Sequence, residues 1–330
     1  MFCSHRLIIK PASFPSLGRE FCGILQDQGN AIGLTDLDQR VWGVLPLHHH
    51  GACSDFICPK GYQISPAPTN LSDAEAATLP FSGVLFFNAV ETVLDEYTTK
   101  GKKILVIGAG GKVGHLATQI LIAWGGDVSV IVGQDENDFM KLKVDGLDYE
   151  KIYNFDVEEA EEALEKAAAK SGKSGKSDDD NLTPGPLSKI NESFDVIINC
   201  SQDENSLYPY WEIINNLLIN GTYITLNSTL FERADRHWHL NAIINAERDH
   251  KKIRKYFKKH KRRAKWANFE DRYADWHLTR LKKLCEEGKV KPAIYKSYNC
   301  SDSLTAWKEF VEDDPKIYGK IVVEFDDKAL

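Results

Sequence analysis

A short apolar run that ends in a cluster of glycines constrains the fold of this chain more than any other feature. Residues 104–107 are all apolar and predict a buried strand, and residues 115–124 repeat apolar side chains at helical spacing and predict a helix. The turn between them contains four glycines: Gly108, Gly110, Gly111 and Gly114. Glycine lets a backbone approach a phosphate closely, and a helix start offers free N–H groups to negative charge. The stretch therefore predicts a dinucleotide-binding turn.

Strand and helix patterns alternate after this turn. Predicted strands at 104–107, 128–132, 151–155, 194–199 and 221–226 are separated by segments with helical spacing. Such alternation is typical of a mostly parallel sheet with helices on both faces. The segment 170–189 interrupts the pattern with Gly, Ser, Lys, Asp and Pro, and we interpret it as a flexible surface insertion, either inert or regulatory.

The two ends of the chain show other patterns. Short apolar runs broken by turn residues predict strands near the N-terminus, at 21–26, 41–45 and 54–58. Ser72 and Glu75 form a predicted capping box at the start of a long helix over 72–94. The tail predicts a strand at 291–299, a helix at 303–311 and a strand at 319–325.

Composition excludes several classes of protein. The chain has 330 residues, enough for about two domains, and 42% of them are hydrophobic. No run of 18 apolar residues exists that would predict a membrane-spanning helix. Seven scattered cysteines without a CxxC pair predict free thiols in a reducing compartment.

Charge is concentrated in one segment. Residues 248–265 contain eleven Lys or Arg and a single acid, so they carry about +10, whereas the whole chain carries −7. One interpretation is a solvated basic helix that touches the core through a few apolar residues. Another is a docking surface for anionic lipid or an acidic partner, and RNA is a third. The negative net charge does not favour nucleic acid as a partner.

Several separated segments resemble the zinc-free quinone oxidoreductase (zeta-crystallin-like) branch of the medium-chain dehydrogenase/reductase superfamily. They extend along nearly the whole chain and read FPSLGREFCGIL (14–25), DLDQRVWGVLP (36–46), LSDAEAATLPFSGVLFFNAV (71–90), GAGGKVG (108–114), FDVIINC (194–200), EEGKVKPAIYKSYNCSDSLTAWKEFVE (286–312) and YGKIVVEF (318–325). The resemblance implies an α/β fold in which a Rossmann domain with a doubly wound parallel sheet is joined to a β-rich GroES-like catalytic domain.

The resemblance also implies how the chain is divided. Residues 1–90 would be a partial GroES-like catalytic domain, and residues 91–230 the Rossmann domain. A helical segment at 231–290, which includes the basic run, would complete the Rossmann domain, and 291–330 would return to the catalytic domain. Relatives have further strands before the segment that resembles 14–25, so we expect a truncated GroES-like part that exposes sheet edges and apolar surface.

Cofactor contacts carry over from the family where residues match its motifs. The fingerprint residues are Gly108, Ala109, Gly110, Gly111, Lys112, Val113 and Gly114. Lys112 replaces a usual glycine and could either help or crowd phosphate binding. Further contacts are expected on the adenosine side, at the nicotinamide and from the tail: Gly133, Phe155, Thr225, Leu226, Gly319, Lys320 and Ile321. The alternative for each is an ordinary turn or strand.

NADPH is the expected cofactor. The second predicted strand ends at Gly133 without the acid that NAD-dependent enzymes use to bind the ribose hydroxyls. Gln134 could hydrogen bond nearby, and Lys141 or Lys143 could offer positive charge to a 2′-phosphate. Asp135 argues against this choice, because its carboxylate would repel the phosphate.

The sequence predicts neither a catalytic metal nor a proton donor. Zinc-dependent relatives have a histidine where this chain has Arg19 in Gly18-Arg19-Glu20. His48–His50 with Cys53 and Cys58 form a rival zinc site, but their spacing matches no common motif. Leu85 and Asn199 replace residues that are usual beside the cofactor. We therefore name no catalytic residue.

The leading hypothesis is an NADPH-dependent, zinc-independent oxidoreductase that transfers hydride to a small quinone or activated carbonyl. The alternative is a weak or inactive NADPH-binding scaffold that docks a membrane or protein through its basic segment. The resemblance implies a mitochondrial setting linked to ubiquinone metabolism and either a membrane surface or a reticulon-like protein as partner. A cytoplasmic location stays open, because no clear presequence precedes residue 14.

Overall fold

The structure is a computed structural model. It describes residues 17–29, 37–46, 51–133, 144–155, 187, 190–201, 210–226, 240–267, 269–311 and 318–325. The strands in these ranges are β1 (Glu20–Ile24), β2 (Arg40–Val44), β3 (Ile64–Pro66), β4 (Lys103–Ile107), β5 (Asp127–Gly133), β6 (Ile152–Phe155), β7 (Phe194–Asn199), β8 (Leu217–Thr225), β9 (Arg263–Trp266), β10 (Ile294–Asn299) and β11 (Lys320–Glu324). The helices are α1 (Asp73–Ala76), α2 (Pro80–Val90), α3 (Lys112–Ala123), α4 (Tyr210–Asn215), α5 (Leu240–Lys259), α6 (Ala274–Glu286) and α7 (Ser303–Val311).

A six-stranded parallel sheet forms the centre of the fold. Its strand order is β6-β5-β4-β7-β8-β9, so the chain moves outward in one direction, returns to the middle and moves outward in the other. This is the doubly wound order of a Rossmann fold. Along β4, Ile104 and Val106 pack into one buried cluster with α2, α3 and α6, whereas Leu105 and Ile107 pack into the other. Apolar side chains on both faces explain why these strands are continuous hydrophobic runs.

Most of the predicted elements are confirmed. The strands expected at 104–107, 128–132, 151–155 and 194–199 correspond to β4, β5, β6 and β7. The helix predicted at 303–311 is α7. The capping box is present at α1, where Ser72 Oγ accepts from Glu75 N at 3.3 Å and Glu75 Oε2 accepts from Ser72 N at 2.8 Å.

Two predicted elements in the N-terminal part of the chain differ from the structure. Residues 54–58 form no strand, and the third strand of the antiparallel sheet is instead β3. The helix predicted over 72–94 is divided into α1 and α2, because Pro80 has no N–H for an interior turn and instead begins α2.

The segment 231–290 is also not entirely helical, and the basic run 248–265 is not one helix. It follows α5 to Lys259, turns, and enters β9, which pairs with β8 as the sixth strand. No apolar run marks this strand in the sequence, because β9 is an edge strand and half of its residues are charged.

Two small sheets accompany the central one. β1, β2 and β3 form an antiparallel sheet, which Gln63 Nε2 links to the region of α6 by donating to Asp271 Oδ2 at 2.6 Å. β10 and β11 pair in parallel at the other end of the chain. The helix α7 beside them exposes a row of apolar side chains: Leu304, Trp307, Phe310 and Val311. The domain boundaries at 90, 230 and 290 and the truncated GroES-like part stay predictions.

None of the helices in the described ranges has the length and apolar character needed to cross a membrane. Several sequence interpretations fall on residues outside the described ranges: the insertion 170–189 apart from Leu187, His48–His50, Gln134, Asp135, Lys141 and Lys143.

Candidate functional site

The turn between β4 and α3 is tightly packed against its surroundings. Gly108 has a φ of +73°, which L side chains rarely adopt, and a Cβ built on it would lie 2.8 Å from Ser201 N. A Cβ on Gly114 would lie 2.1 Å from Gly108 O. Both positions therefore require glycine, the first for its backbone angle and its contact with the β7 loop, the second because α3 crosses directly over the turn.

The start of α3 has N–H groups without a side-chain cap. Gly111 is the N-cap residue in extended conformation, and it has no side chain that could accept a hydrogen bond. The first N–H groups of any α-helix lack intrahelical acceptors. The amides of Gly108 and Ala109, by contrast, both donate to Ile131 O at 3.1 Å, which fixes the turn on β5. The result is a rigid turn that directs helix-start amides and the positive end of the dipole at one point.

This turn lies where the strand order of the sheet reverses. β4 and β7 are neighbours at that point, and the chain leaves them toward opposite sides. Asn199, the last residue of β7, organises the crevice: its Oδ1 accepts from Ser201 N at 3.0 Å and from Ser201 Oγ at 2.7 Å, while its Nδ2 donates to Tyr223 OH at 3.1 Å. Ligands bind α/β sheets in the crevice at such a reversal.

Burial keeps two potential nucleophiles at this edge protonated. It raises the pKa of the Cys200 thiol to about 12 and the pKa of the Tyr223 phenol to about 12. Neither group is ionised at neutral pH, so neither acts as an anionic nucleophile or base there.

A shallow cleft opens beside the start of α3. It joins three parts of the chain: the α1–α2 region, α3 and the tail. Its lining residues are Thr78, Leu79, Ser82, Gly110, Lys112, His115, Leu116, Gln119, Lys291, Ala293, Gly319 and Lys320. The structure thus brings the fingerprint turn and the tail residues Gly319 and Lys320 to one cleft, although Gly110 and Gly319 are 209 positions apart in the sequence.

Side-chain amide bonds fix the tail against α3. Gln119 Nε2 donates to Lys291 O at 3.1 Å, and Gln119 Oε1 accepts from Lys291 N at 2.8 Å. The orientation of Gln119 is further fixed by a 3.2 Å contact between its Nε2 and His115 Nδ1. These contacts position the start of the tail beside the cleft before the chain reaches β10.

An ion pair closes another side of the cleft. Lys320 Nζ contacts Glu20 Oε1, and only 14% and 17% of the two side chains are exposed. Glu20 Oε2 also accepts from Phe81 N at 2.9 Å, in the first turn of α2. One carboxylate therefore joins β1, α2 and β11, and it neutralises a lysine that faces the cleft.

The other residues expected at the site lie around the same edge of the sheet. Gly133 and Phe155 are register partners at the ends of β5 and β6. At the end of β8, Thr225 O accepts from Ala267 N and Leu226 N donates to Asn199 O, both at 2.9 Å. These two backbone groups already form hydrogen bonds within the protein, and they stabilise the carboxyl edge of the sheet.

Lys112 and Ile321 have particular surroundings. The Lys112 ammonium lies 5.2 Å from the centre of the Phe310 ring in α7, so this lysine spans from the helix start toward the tail. Ile321 lies in β11 opposite Lys296 of β10 and is half-buried.

Sequence reasoning missed several residues of this site. Asn199 was predicted only as a departure from the family and Glu20 only as a neighbour of Arg19, whereas Ser201, Gln119 and Lys291 were not predicted at the site. A polar residue at the end of a buried strand or just beyond it, as at Asn199 and Ser201, is a signal that could have identified two of them. Gln119 and Glu20 carry no such signal, because their partners are distant in sequence.

No metal site is found in the part of the chain that the structure describes, since no three His, Cys, Asp or Glu side chains there are grouped so as to hold an ion. Arg19 donates to Pro46 O at 3.2 Å. The histidines of the rival zinc site lie outside the described ranges, so zinc independence stays a prediction.

Comparison with known proteins supports the same family. No family model matches the chain. A fruit-fly protein (Drosophila melanogaster) named NAD(P)H oxidoreductase RTN4IP1, mitochondrial, is 26% identical over 93% of this chain and 68% of its own length. The mouse protein of that name (Mus musculus) is 30% identical over 40% of this chain. That match covers 34% of the mouse protein, so the chain spans about a third of the length of this relative.

Solved structures agree on the fold. The quinone oxidoreductase from Coxiella burnetii superposes with a TM-score of 0.64 at 20% identity, covering 94% of this chain and 80% of that one. The relatives are mitochondrial by name, which agrees with the expected mitochondrial setting. The chain is thus similar along 93% of its sequence to a protein named as an NAD(P)H oxidoreductase, and it shares the fold of the quinone oxidoreductase, a Rossmann sheet joined to GroES-like elements.

Proposed function

We propose that this chain is an NADPH-dependent oxidoreductase that transfers hydride to a quinone or another activated carbonyl. The observation that carries the proposal is the glycine turn at the strand-order reversal, whose helix α3 begins without a side-chain cap. Names of similar proteins support the class of reaction, since the fruit-fly and mouse relatives are NAD(P)H oxidoreductases and a protein of the same fold is a quinone oxidoreductase.

The residues present fit a dinucleotide. The space that a Cβ would fill at Gly108 and Gly114 is already taken by backbone, so the turn is as compact as a pyrophosphate site requires. The amides of Gly110, Lys112 and Val113 would hold the pyrophosphate, while Gly111 N donates to Gly108 O at 3.2 Å within the turn. Gly133 and Phe155 would face the adenosine, Thr225 and Leu226 the nicotinamide, and the tail residues Gly319, Lys320 and Ile321 would close over the cofactor. When bound, the nicotinamide supplies the hydride.

The cleft supports a ligand that is partly anionic and partly apolar. Lys112 supplies positive charge at the start of α3, while Leu79 and Leu116 supply an apolar wall. An apolar wall excludes water from a reacting carbonyl and strengthens the electrostatic effect of nearby donors. Because the thiol of Cys200 and the phenol of Tyr223 stay protonated, we infer that this edge positions the ligand and does not supply a base. We assign no catalytic residue.

The preference for NADPH rests on the end of β5. This strand ends at Gly133, which has no carboxylate to bind ribose hydroxyls and leaves room for a 2′-phosphate. Parallel titrations with NADPH and NADH test the preference, and tighter binding of NADH would contradict it.

Gly111 gives the sharpest test of the proposed NADPH site, because the fold does not require a glycine at this position. A Cβ on Gly111 would meet only Gly108 O, at 3.4 Å, so Gly111→Ala should fold normally. Its methyl group would stand at the helix start and displace a phosphate, so we expect the NADPH affinity to fall about tenfold or more. Gly23→Ala, where a Cβ would meet nothing within 4 Å, is the matched control and should bind like the original chain.

Turnover separates the enzyme from the scaffold. The original chain should oxidise NADPH in the presence of a panel of quinones, and Gly111→Ala should lose that activity together with binding. Tight NADPH binding without turnover for any quinone or activated carbonyl would favour the scaffold. A normal NADPH affinity in Gly111→Ala would contradict the proposed site. The reticulon-like partner and the link to ubiquinone metabolism stay predictions.

A further inference from the structure

A basic surface lies at the opposite edge of the parallel sheet from the glycine turn. The helix α5 ends at Lys259, the chain turns through Lys261 with a φ of +57°, and β9 begins at Arg263. Exposed cations concentrate in this region: Lys255, Lys258, Lys259, Lys261 and Arg263. We call these five residues the basic edge.

Two exposed aliphatic side chains lie next to the basic edge. In the pairing of β7 with β8, Phe194 faces Leu217 but Val196 faces Thr222, so residues 218–221 bulge out of the sheet. At the tip of this bulge Leu218 is 40% exposed and Ile219 is 63% exposed. Asn220, with a φ of +68°, follows these two residues in the turn.

The bulge and the basic turn are fastened to each other. Asn220 N donates to Lys261 O at 2.8 Å, and Arg263 Nη2 donates to Asn220 O at 3.1 Å. Arg262 donates through Nε and Nη2 to Leu217 O at 3.0 and 2.9 Å. These hydrogen bonds therefore hold the apolar tip and the basic turn at residues 261–263 together as one surface, although they come from segments about 40 residues apart.

Within the described ranges, acids do not neutralise most of the basic edge. Among the ion pairs of the described residues, none includes Lys255, Lys258, Lys259 or Lys261. Two acids at the start of β7 are engaged elsewhere. Glu192 lies 3.9 Å from Lys103 Nζ, and Asp195 Oδ2 accepts from Lys103 N at 2.9 Å.

We propose that this surface docks the protein on a membrane that contains anionic phospholipid. Leu218 and Ile219 would enter the boundary between headgroups and acyl chains, and the lysines would contact the phosphates around them. Lysine stems suit this position because they lie along apolar material while their ammonium groups stay in water.

Other anionic partners fit the surface less well. Single-stranded nucleic acid needs exposed aromatic rings on which bases stack, but the aromatic rings here are used internally: Tyr256 packs on His260, and Trp266 stacks on His250. A protein interface favours arginine and disfavours lysine. Here Arg262 bonds to backbone carbonyls, while the exposed cations are mainly lysines.

Docking at this edge leaves the candidate nucleotide site open. The basic edge lies where β8 and β9 begin, whereas the glycine turn follows the end of β4, and all three strands are parallel. Strands of five to nine residues separate the two edges by roughly 17–30 Å. An apolar acceptor dissolved in the membrane would have to leave it to reach the cleft, or enter along the side of the protein.

Vesicle co-sedimentation with the full chain tests the proposal. The original chain should bind vesicles of phosphatidylcholine mixed with an anionic phospholipid, and not vesicles of phosphatidylcholine alone. Lys258→Ala with Lys259→Ala should lower the partition coefficient about 30-fold, since each lysine near an anionic surface contributes about a fivefold effect. Lys283→Ala with Lys308→Ala removes two exposed lysines elsewhere and should change binding less than twofold.

A second variant separates lipid from other partners. Leu218→Ser with Ile219→Ser keeps every charge and alters only exposed side chains, so it should fold and yet bind anionic vesicles about tenfold more weakly. Unchanged vesicle binding in this variant, absent binding by the original chain at low salt, or equal loss in the control lysine variant would each overturn the proposal. Tighter binding to an RNA oligonucleotide or a polyglutamate than to anionic vesicles would overturn it as well.

NADPH titration of the same variants keeps this test independent of the proposed enzyme function. All of them should bind NADPH like the original chain, because none alters the carboxyl edge of the sheet. A shared loss of NADPH binding and vesicle binding would mean that the variants have lost their fold, which circular dichroism would show. The Leu218→Ser and Lys258→Ala substitutions would then be made singly, and a single variant that folds and still binds vesicles normally would overturn the proposal.

Discussion

The two edges of the parallel sheet are both suited to binding negatively charged groups, but they differ in the kind of donor that they present. At the carboxyl edge, backbone N–H groups are aimed by a turn in which Gly108 and Gly114 leave no room for a side chain. At the amino edge, the basic edge presents lysines on flexible stems around an exposed tip. Fixed backbone donors can recognise one phosphate geometry, whereas mobile ammonium groups bind any dense anionic surface.

The comparison also concerns what each edge requires for folding. Side chains at the basic edge are exposed, so their replacement changes little within the protein. At Gly108 and Gly114 the glycine turn is in close contact with backbone atoms of the β7 loop or of the turn itself, so a methyl group at either position would force backbone to move. Recognition of one phosphate at the glycine turn would thus depend on how the backbone packs. Attraction of an anionic surface to the basic edge would depend only on the number of exposed cations.

The largest effect is expected at the glycine turn. A methyl group in Gly114→Ala would overlap Gly108 O, and neither backbone segment can move away. We expect the free energy of unfolding in urea to fall by about 3 kcal/mol, with loss of NADPH binding. Gly23→Ala should stay within about 0.5 kcal/mol of the original chain. If Gly114→Ala were as stable as Gly23→Ala, the carboxyl edge would not be the rigid element of the comparison.

A smaller effect is expected from acid, at a histidine away from both edges. His277 is buried between α2 and α6, where it stacks on Phe87 and its Nε2 lies 3.0 Å from Asn88 Oδ1. Asn88 Nδ2 donates to Glu270 O, so Oδ1 must accept, and Nε2 carries the proton of the neutral ring. Burial, helped by the Arg280 charge, lowers the pKa of His277 from 6.5 to about 4, although Glu91 lies 3.7 Å away.

The sign of the acid effect follows from this lowered pKa. Between pH 6.5 and 4 the unfolded chain binds a proton that the folded chain does not, so stability falls as the pH drops through this window and is constant below it. We expect this histidine to account for about 2 kcal/mol of the loss between pH 7 and pH 4. Urea unfolding at several pH values should show a weaker pH dependence in His277→Gln, and an identical dependence would contradict the buried neutral state. Binding at either edge is best compared near pH 7.

The smallest effect is expected at the basic edge. Lys258→Ala with Lys259→Ala removes two exposed side chains from the end of α5. Mutual repulsion is relieved while favourable interaction with the helix C-terminus is lost, and both terms are small at an exposed surface. Urea unfolding should therefore change by less than about 0.5 kcal/mol. A loss above about 1 kcal/mol would mean that these lysines stabilise the fold, and the contrast between the edges would weaken.

Elements with local signals were predictable from the sequence. The glycine turn, β4 to β7, the capping box at Ser72 and α7 each follow from spacing or from a residue type that few other structures tolerate. The strand β9 was missed because its pattern is masked by basic residues, and Pro80 divided a helix that apolar spacing made continuous. β3 was missed for a related reason, since a three-residue strand is too short to establish a period.

By itself, the sequence determined the class of fold, the dinucleotide fingerprint and the presence of a strongly basic segment. These follow from nearest neighbours in the chain, where periodicity and glycine act directly on the backbone. Only the tertiary structure decided which residues share a site: the Glu20–Lys320 pair, the amide contacts of Gln119 with Lys291, and the union of Leu218 and Ile219 with the basic edge. Such contacts join segments from about 40 to 300 positions apart, and their formation depends on the packing of the whole chain rather than on any local pattern.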